Sequence, residues 1–181
     1  PKYELAILNG RIIDPERGIE FDGYLGINNG VIEYLGKASI AGIKELDATG
    51  LVVSPGFIDL HSHGQDAENY FIQASDGVTS ALELEFGTDD VNAWYSTRSG
   101  KASVNYGVSV GHIPVRTTVM NDPGGMNQPD DQLKGDIIRL PIADGANKQA
   151  SRIEIESINN MIETGLKNGA VAVGMGIAYT P

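Results

Sequence analysis

The stretch Val53-Ser-Pro-Gly-Phe-Ile-Asp-Leu-His-Ser-His63 decides how this chain is read. It starts as an apolar run and ends in a His-x-His pair. Side chains of a β-strand alternate faces, so His61 and His63 project to the same side. Two neutral imidazoles converging on one space suit a divalent ion and sit badly in an apolar core. Zinc and its neighbours bind imidazole nitrogen well, and an incomplete protein shell leaves a position for water. A bare His-x-His is as readily two partly exposed strand-end histidines, so the flanking residues must decide. The chain has only 3 histidines in 181 residues, and two of them are here.

Outward from that stretch the pattern differs on the two sides. Before it, residues 3–8, 23–27 and 31–35 read as short β-segments separated by Asn9-Gly10 and Asn28-Asn29-Gly30. Asn-Gly between apolar runs is the strongest short hairpin signal. After it, strand and helix alternate. Residues 51–60 are strand-like, although Pro55-Gly56 interrupts them, and 66–74 form a short helix. Residues 78–86 are a strand, 88–105 a helix with Thr88 as N-cap, and 106–114 a strand. Residues 121–150 are a loop-rich insertion containing Asn121-Asp-Pro-Gly-Gly125 and Asn127-Gln-Pro-Asp-Asp131. Ser151-Arg-Ile-Glu154 has the form of a capping box, and Ile155, Ile158, Ile162 and Leu166 keep helical spacing up to Gly169. A small-residue strand over 170–177 closes the chain. Such alternation predicts βαβ units and a parallel sheet. The expected division is a β-rich annex over 1–50 and an α/β domain over 51–181.

Composition bounds the function. A hydrophobic content of 41% and a charged content of 20% describe an ordinary globular protein. The net charge of −11 disfavours nucleic acid and anionic membrane surfaces as partners. No segment approaches an apolar span of about 20 residues, so no membrane crossing is expected, and a cytoplasmic location follows by default. Pro1-Lys-Tyr-Glu-Leu5 reads as a trimmed mature end, not a leader. Zero cysteines leave nitrogen and oxygen as the metal ligands.

Functional residues of parallel α/β folds collect at the C-terminal ends of strands. His61 and His63 lie there on the first strand. In Ser80-Ala-Leu-Glu-Leu-Glu-Phe86, alternation puts Glu83 and Glu85 on one face. Two carboxylates in a buried strand are costly without partners, and a metal is the obvious one. Glu85, nearer the strand end, is the better candidate ligand. Glu83 lies one layer deeper, behind a ligand or beside a cation. The next strand ends in Gly111-His-Ile-Pro-Val-Arg116, where His112 suits a hydrogen-bonding or substrate-facing role. Arg116 either clamps a carboxylate bidentately or is a surface arginine at a helix start. Asp66 is read as a helix cap in preference to a support for an imidazole, and Asp59 as a support for His61 from below. Gly169-Ala-Val-Ala-Val-Gly-Met-Gly176 lacks the order of a dinucleotide site and suits tight packing in a barrel wall.

These residues resemble a family. The Val53–His63 stretch is similar to the first barrel strand of the amidohydrolase superfamily, whose His-x-His binds metal in a (β/α)8 barrel. Leu5-Ala-Ile-Leu-Asn-Gly-Arg-Ile-Ile-Asp14, Gly30-Val-Ile32 and Leu46-Asp-Ala-Thr-Gly50 resemble that superfamily's small β-sandwich. Within it, the likeness is to D-aminoacylases, the N-acyl-D-amino-acid deacylases. It is carried by Gly77-Val-Thr-Ser80, by Gly111-His112 with Arg116, and by Gly169-Ala170 through Gly176-Ile177, Tyr179 and Pro181. Those deacylases place a cysteine ligand where this chain has Phe86, and Glu85, adjacent, takes its place as a bridging carboxylate does in other members. Val115, Ala172 and Gly174 are further departures from the deacylase pattern.

The resemblance implies about the first four βα units of a TIM-type barrel, preceded by part of a β-sandwich. It implies hydrolysis of a non-peptide C–N bond in a small-molecule amide, with one or two divalent ions, Zn2+ first among them. The ligands are His61, His63 and Glu85, and Arg116 or His112 meets the substrate. The superfamily's later metal histidines and catalytic aspartate come from strands beyond the fourth. The general base is therefore expected outside this chain, in a C-terminal remainder, and the chain alone is expected to be inactive. A cyclic-amide hydrolase of the dihydroorotase or hydantoinase kind, a non-catalytic metal-binding fragment, and a homo-oligomer all stay open.

Overall fold

In the computed structural model, which describes residues 2–126 and 139–178, the chain opens with a long strand, β1 (Lys2–Asp14). Residues 127–138 of the expected loop-rich insertion and the Tyr179 and Pro181 positions lie outside the described residues. β1 pairs antiparallel with β2 (Ile19–Asn28), which pairs antiparallel with β3 (Val31–Gly36). β4 (Ala41–Asp47) and β5 (Val52–Val53) run parallel to β1. Asn29 and Gly30, at φ 50° and 73°, join β2 to β3. Both central residues take the left-handed conformation that a type I′ hairpin needs.

Asn9-Gly10 does something else. The hairpin expected there is absent, and the pair sits inside β1, where register against β2 shifts between Ile7 and Gly10. Asn9 takes φ 60°, so its tolerance of that conformation makes a bulge here, not a reversal. A Cβ on Gly10 would stand 2.5 Å from Val53 Cγ2, so the bulge also lets β5 approach. Tyr3, Ala6, Ile12, Leu25 and Ala48 are buried in this unit, which spans Pro1–Pro55. Val52 pairs with Arg11, so the first half of the strand expected over 51–60 belongs to this sheet. Pro55 has no N–H for a ladder, and a new strand starts beyond it.

The second unit, Gly56–Pro181, begins with β6 (Phe57–Asp59), α1 (Ala67–Ser75), β7 (Val78–Thr88), α2 (Val91–Arg98), β8 (Asn105–Gly111) and α3 (His112–Val119). β9 (Gly125–Met126) and β10 (Arg139–Leu140) pair antiparallel. Then come α4 (Asp144–Asn147), α5 (Arg152–Lys167) and β11 (Val173–Gly174). The main sheet has the order β11-β8-β7-β6, with every neighbouring pair parallel. That is a mixed α/β architecture with consecutive strands side by side, and among the described residues the sheet runs from β6 to β11 without closing.

Local chemistry explains where elements differ from the sequence reading. α2 is capped by Asp90, whose Oδ1 accepts from the Ala93 amide, while Thr88 accepts from Asp90. The helix stops at Arg98, before Gly100 at φ 72°. The strand expected over 106–114 ends at Gly111, because Pro114 falls in the first turn of α3, where its missing N–H is no loss. The Ser151–Glu154 capping box forms both of its bonds. The last strand narrows to two residues. Helices pack on the sheet through Val91, Trp94, Val108, Val110, Val115 and Ile158. A Cβ at Gly165 would meet Val110 Cγ2 at 2.6 Å, so α5 approaches β8 closely. Among the described residues no helix is long and apolar enough to cross a membrane.

Candidate metal centre

His61 and His63 follow β6 directly. The Ser62 amide donates to Leu82 O at 3.0 Å and His61 forms an isolated bridge with Glu83, which tie the loop after β6 to β7. The His61 amide donates to Asp59 Oδ1 at 3.0 Å, so Asp59 supports His61 through its backbone. His61 Nε2 and His63 Nε2 stand 2.9 Å apart, with the rings edge to face. Glu85 Oε2 lies 2.8 Å from His61 Nε2 and 3.4 Å from His63 Nε2. The three ligand-type atoms all fall within 4.8 Å of one another. Ligands about 2.0–2.2 Å from a zinc ion are separated by roughly 3–4 Å, so the spacing fits a single divalent ion. Two imidazoles and one carboxylate also match the three-ligand shell of a zinc site that keeps one position open.

Glu83 stands behind this group. It is 5% exposed, and its Oε2 lies 2.5 Å from His63 Nδ1. Its Oε1 accepts from the Glu85 and Phe86 amides at 3.1 and 3.0 Å. β7 loses register with β8 between Glu83 and Thr88, with Gly87 at φ 66°. A bulge leaves ladder amides unpaired, and buried amides must find acceptors. Here a side chain of the same strand supplies one. The Phe86 ring packs edge-on to His63 at 5.5 Å, so this position carries an apolar contact.

The turn after the histidines is anchored from beneath. Gln65 is 1% exposed; its Nε2 donates to Ser62 O, and its Oε1 accepts from the Tyr70 hydroxyl. Gln73 Nε2 donates to Ser62 Oγ at 2.8 Å, and Arg98 Nε to Gln65 O at 2.8 Å. Arg98 also stacks over Trp94 at 4.0 Å. Asp66 caps α1, accepting from the Glu68 and Asn69 amides. Sequence reading missed Gln65, Tyr70, Gln73 and Arg98, since isolated polar residues in a turn or on short helices form no motif.

His112 and Arg116 come together in a different setting, an open recess of about 680 Å3 shared with Asn147, Asn159, Ile158 and Met175. Burial holds the His112 imidazole below its ordinary 6.5, and the Arg116 charge adds to this. Arg116 is 4% exposed, which overturns the reading of it as a surface arginine. Its Nε donates to Gly145 O at 2.6 Å, and its Nη2 to Lys148 O. Asp122, in the stretch that the sequence reading placed in the loop-rich insertion, accepts from the Gly124, Ile142, Ala143 and Gly145 amides. Burial pushes its carboxyl up, but the four amide bonds outweigh that and hold it below its ordinary 3.8.

No family model matches the chain. The dihydroorotase of Geobacter sulfurreducens is 47% identical over 64 residues, which are 34% of this chain and 15% of that protein. The N-acyl-D-glutamate deacylase of Bordetella bronchiseptica, solved with zinc and a phosphonate mimic of the tetrahedral intermediate, superposes with a TM-score of 0.74 at 22% identity. That superposition covers 100% of this chain and 40% of the deacylase. A D-aminoacylase, described as defining a subset of amidohydrolases, gives 0.70 at 20% identity over 99% of this chain and 40% of its own. Another D-aminoacylase study concerns its binuclear metal centre. At these identities the structural likeness carries the fold. The chain thus spans under half the length of the proteins it matches.

Proposed function

We propose, for a chain that resembles the N-terminal portion of the amidohydrolase superfamily in sequence and fold, a role in metal-dependent hydrolysis of a non-peptide C–N bond. The finer reading is an N-acyl-D-amino-acid deacylase-like enzyme. The observation that carries it is the convergence of His61 Nε2, His63 Nε2 and Glu85 Oε2 within 4.8 Å. Those three atoms would hold the ion, with Zn2+ as the metal and one or two ions in the complete site. When bound, such an ion supplies Lewis acidity toward an amide carbonyl and a water of lowered pKa.

The chain's own residues do the rest of the work assigned here. Glu83 holds the His63 ring from behind, and the Phe86 ring covers its side. His112, kept neutral by burial, is the substrate-facing hydrogen-bonding group on this reading. Arg116 lends positive charge to the same recess while its Nε and Nη2 hold the backbone. The general base is assigned to a C-terminal remainder, a reading supported by the 40% coverage of the deacylases.

A second reading is favoured by the dihydroorotase likeness over 64 residues, namely hydrolysis of a cyclic amide. Turnover of N-acyl-D-amino acids, hydantoins and dihydroorotate by the full-length protein, with and without Zn2+, separates the two. A correctly folded full-length protein that binds no divalent ion, or hydrolyses none of these substrates, would sink both.

A further inference from the structure

We propose that Glu83 is a positioning residue that fixes two parts of the site at once: the tautomer of His63 and the backbone that presents Glu85. The inference deepens the metal-site reading and rests on it. A carboxylate accepts and does not donate, so the contact between Glu83 Oε2 and His63 Nδ1, 2.5 Å, puts the ring proton on Nδ1. The lone pair then sits on Nε2, the atom that faces His61 Nε2 at 2.9 Å and Glu85 Oε2 at 3.4 Å. The other oxygen, Oε1, takes the Glu85 and Phe86 amides. Those two peptides lie in the bulge between Glu83 and Thr88, where the ladder with β8 is interrupted. One buried side chain therefore links the orientation of an imidazole on the β6 loop to the position of a carboxylate on β7.

The two duties make different demands, which allows them to be separated. A glutamine at this position can keep its carbonyl oxygen on the two bulge amides. Its amide nitrogen then faces His63 Nδ1 and donates to it, which moves the ring proton to Nε2 and blocks ligation. The reverse orientation sets the amide nitrogen against two N–H donors. Glutamine can thus satisfy the bulge or the imidazole tautomer, but not both, whereas alanine satisfies neither.

The test uses the full-length protein as wild type, Glu83→Gln and Glu83→Ala. Zn2+ affinity is read by competition with a chromophoric chelator. The tautomer of His63 is read from its ring 15N shifts in the metal-free protein, and the bulge from hydrogen exchange of the Glu85 and Phe86 amides. In the wild type His63 is expected as the Nδ1–H form with both amides protected. Glu83→Gln should keep the amides protected, convert His63 to the Nε2–H form and weaken Zn2+ binding by about 10- to 100-fold, the range for partners that orient a ligand. Glu83→Ala should lose both amide protection and Zn2+ affinity. A Glu83→Gln protein with the Nδ1–H form and wild-type Zn2+ affinity overturns the proposal. So does a wild-type His63 in the Nε2–H form, which needs no variant to fold. If the metal reading itself is wrong, the wild type fails to bind Zn2+ and His61→Ala changes nothing, while the tautomer readout still decides what Glu83 does.

Discussion

Arg116 and Asp122 hold the same residue, Gly145, through the two peptide groups on either side of its Cα. Arg116 Nε donates to Gly145 O at 2.6 Å, and the Gly145 amide donates to Asp122 Oδ2 at 2.9 Å. A Cβ at Gly145 would stand 3.0 Å from that same Asp122 oxygen, so the grip leaves little room for a side chain. The C-terminal part of the insertion, which forms a wall of the His112 recess, is in this way tied to the last turn of α3 and the turn beyond it.

The depressed Asp122 carboxyl makes that tie sensitive to acid. Its folded pKa lies below the unfolded value, so its contribution is fully present above about pH 4. It is lost as pH falls through the folded value, because protonation removes acceptor capacity from four amides. Asp122→Asn should cost about 1–3 kcal/mol at neutral pH, the range for leaving buried partners unsatisfied. Denaturant titrations of both proteins should show that gap narrowing below about pH 4. A gap unchanged down to pH 3 would refute the assignment.

A second prediction concerns close packing at the edge of the bulge. A Cβ at Gly174 would stand 2.4 Å from Ser109 Oγ and 2.5 Å from Glu85 O. Gly174→Ala must therefore move β11 away or push on the peptide that carries Glu85. Overpacking of this kind typically costs about 1–3 kcal/mol. Zn2+ affinity should fall together with the melting temperature. A variant that melts lower while binding Zn2+ as tightly as wild type would show that β11 yields and the bulge does not.

Why some of this was legible in sequence, and some not, is clear from particular residues. The His61–Glu85 convergence was suggested by the His-x-His spacing and by the position of Glu85 far along its strand, while the structure sets both histidines just beyond β6 and Glu85 in the β7 bulge. The Ser151 capping box was readable because its spacing is likewise local. Asn9-Gly10 misled because a left-handed residue permits either a turn or a bulge, and only the pairing of β1 with its neighbours chooses. Arg116 and Asp122 could not be read, since all their side-chain hydrogen-bond partners among the described residues but the Gly124 amide are backbone groups 20 or more residues away. Such partners carry no side-chain signature at all.

The ligand assignment predicts an order of effects. Glu85→Ala removes a donor atom, whereas Glu83→Ala removes a group that orients one. Metal content after dialysis against limiting Zn2+ should fall further in Glu85→Ala, with an affinity loss above the roughly 100-fold expected at most from losing an orienting partner. Equal metal content in the two variants would remove Glu85 from the ligand set.

The anchor beneath the histidines predicts a stability loss with a metal-binding consequence. Tyr70 is fully buried, and its hydroxyl donates to Gln65 Oε1 at 2.8 Å. Tyr70→Phe leaves that buried oxygen one donor short, at a cost of about 1–3 kcal/mol. Because Gln65 also binds Ser62 O, between the two histidines, the Zn2+ off-rate should rise in stopped-flow chelator chases. An unchanged off-rate in a destabilised protein would confine the network to a structural role.

The open edges of the sheet give the last prediction. Phe57 and Ile58 on β6, with Val173 on β11 and Met175 and Ile177 beyond it, are exposed although all are large and apolar. Covering such side chains contributes roughly 25 cal/mol per Å2 of apolar surface removed from water, so a polypeptide that completes the sheet would gain from both edges. The proposed site points the same way, since on that reading His61, His63 and Glu85 would supply three ligands and the general base would come from outside these residues. The 181-residue chain by itself is therefore expected to show no Zn2+-dependent hydrolysis of N-acyl-D-amino acids or hydantoins. It should bind a reporter dye of exposed apolar surface that the full-length protein does not. Mixing it with a separately produced C-terminal remainder should quench the dye signal and restore turnover together. Turnover by the chain alone at the full-length rate would show that the chemistry is complete without a remainder, and would return the search for the general base to these residues.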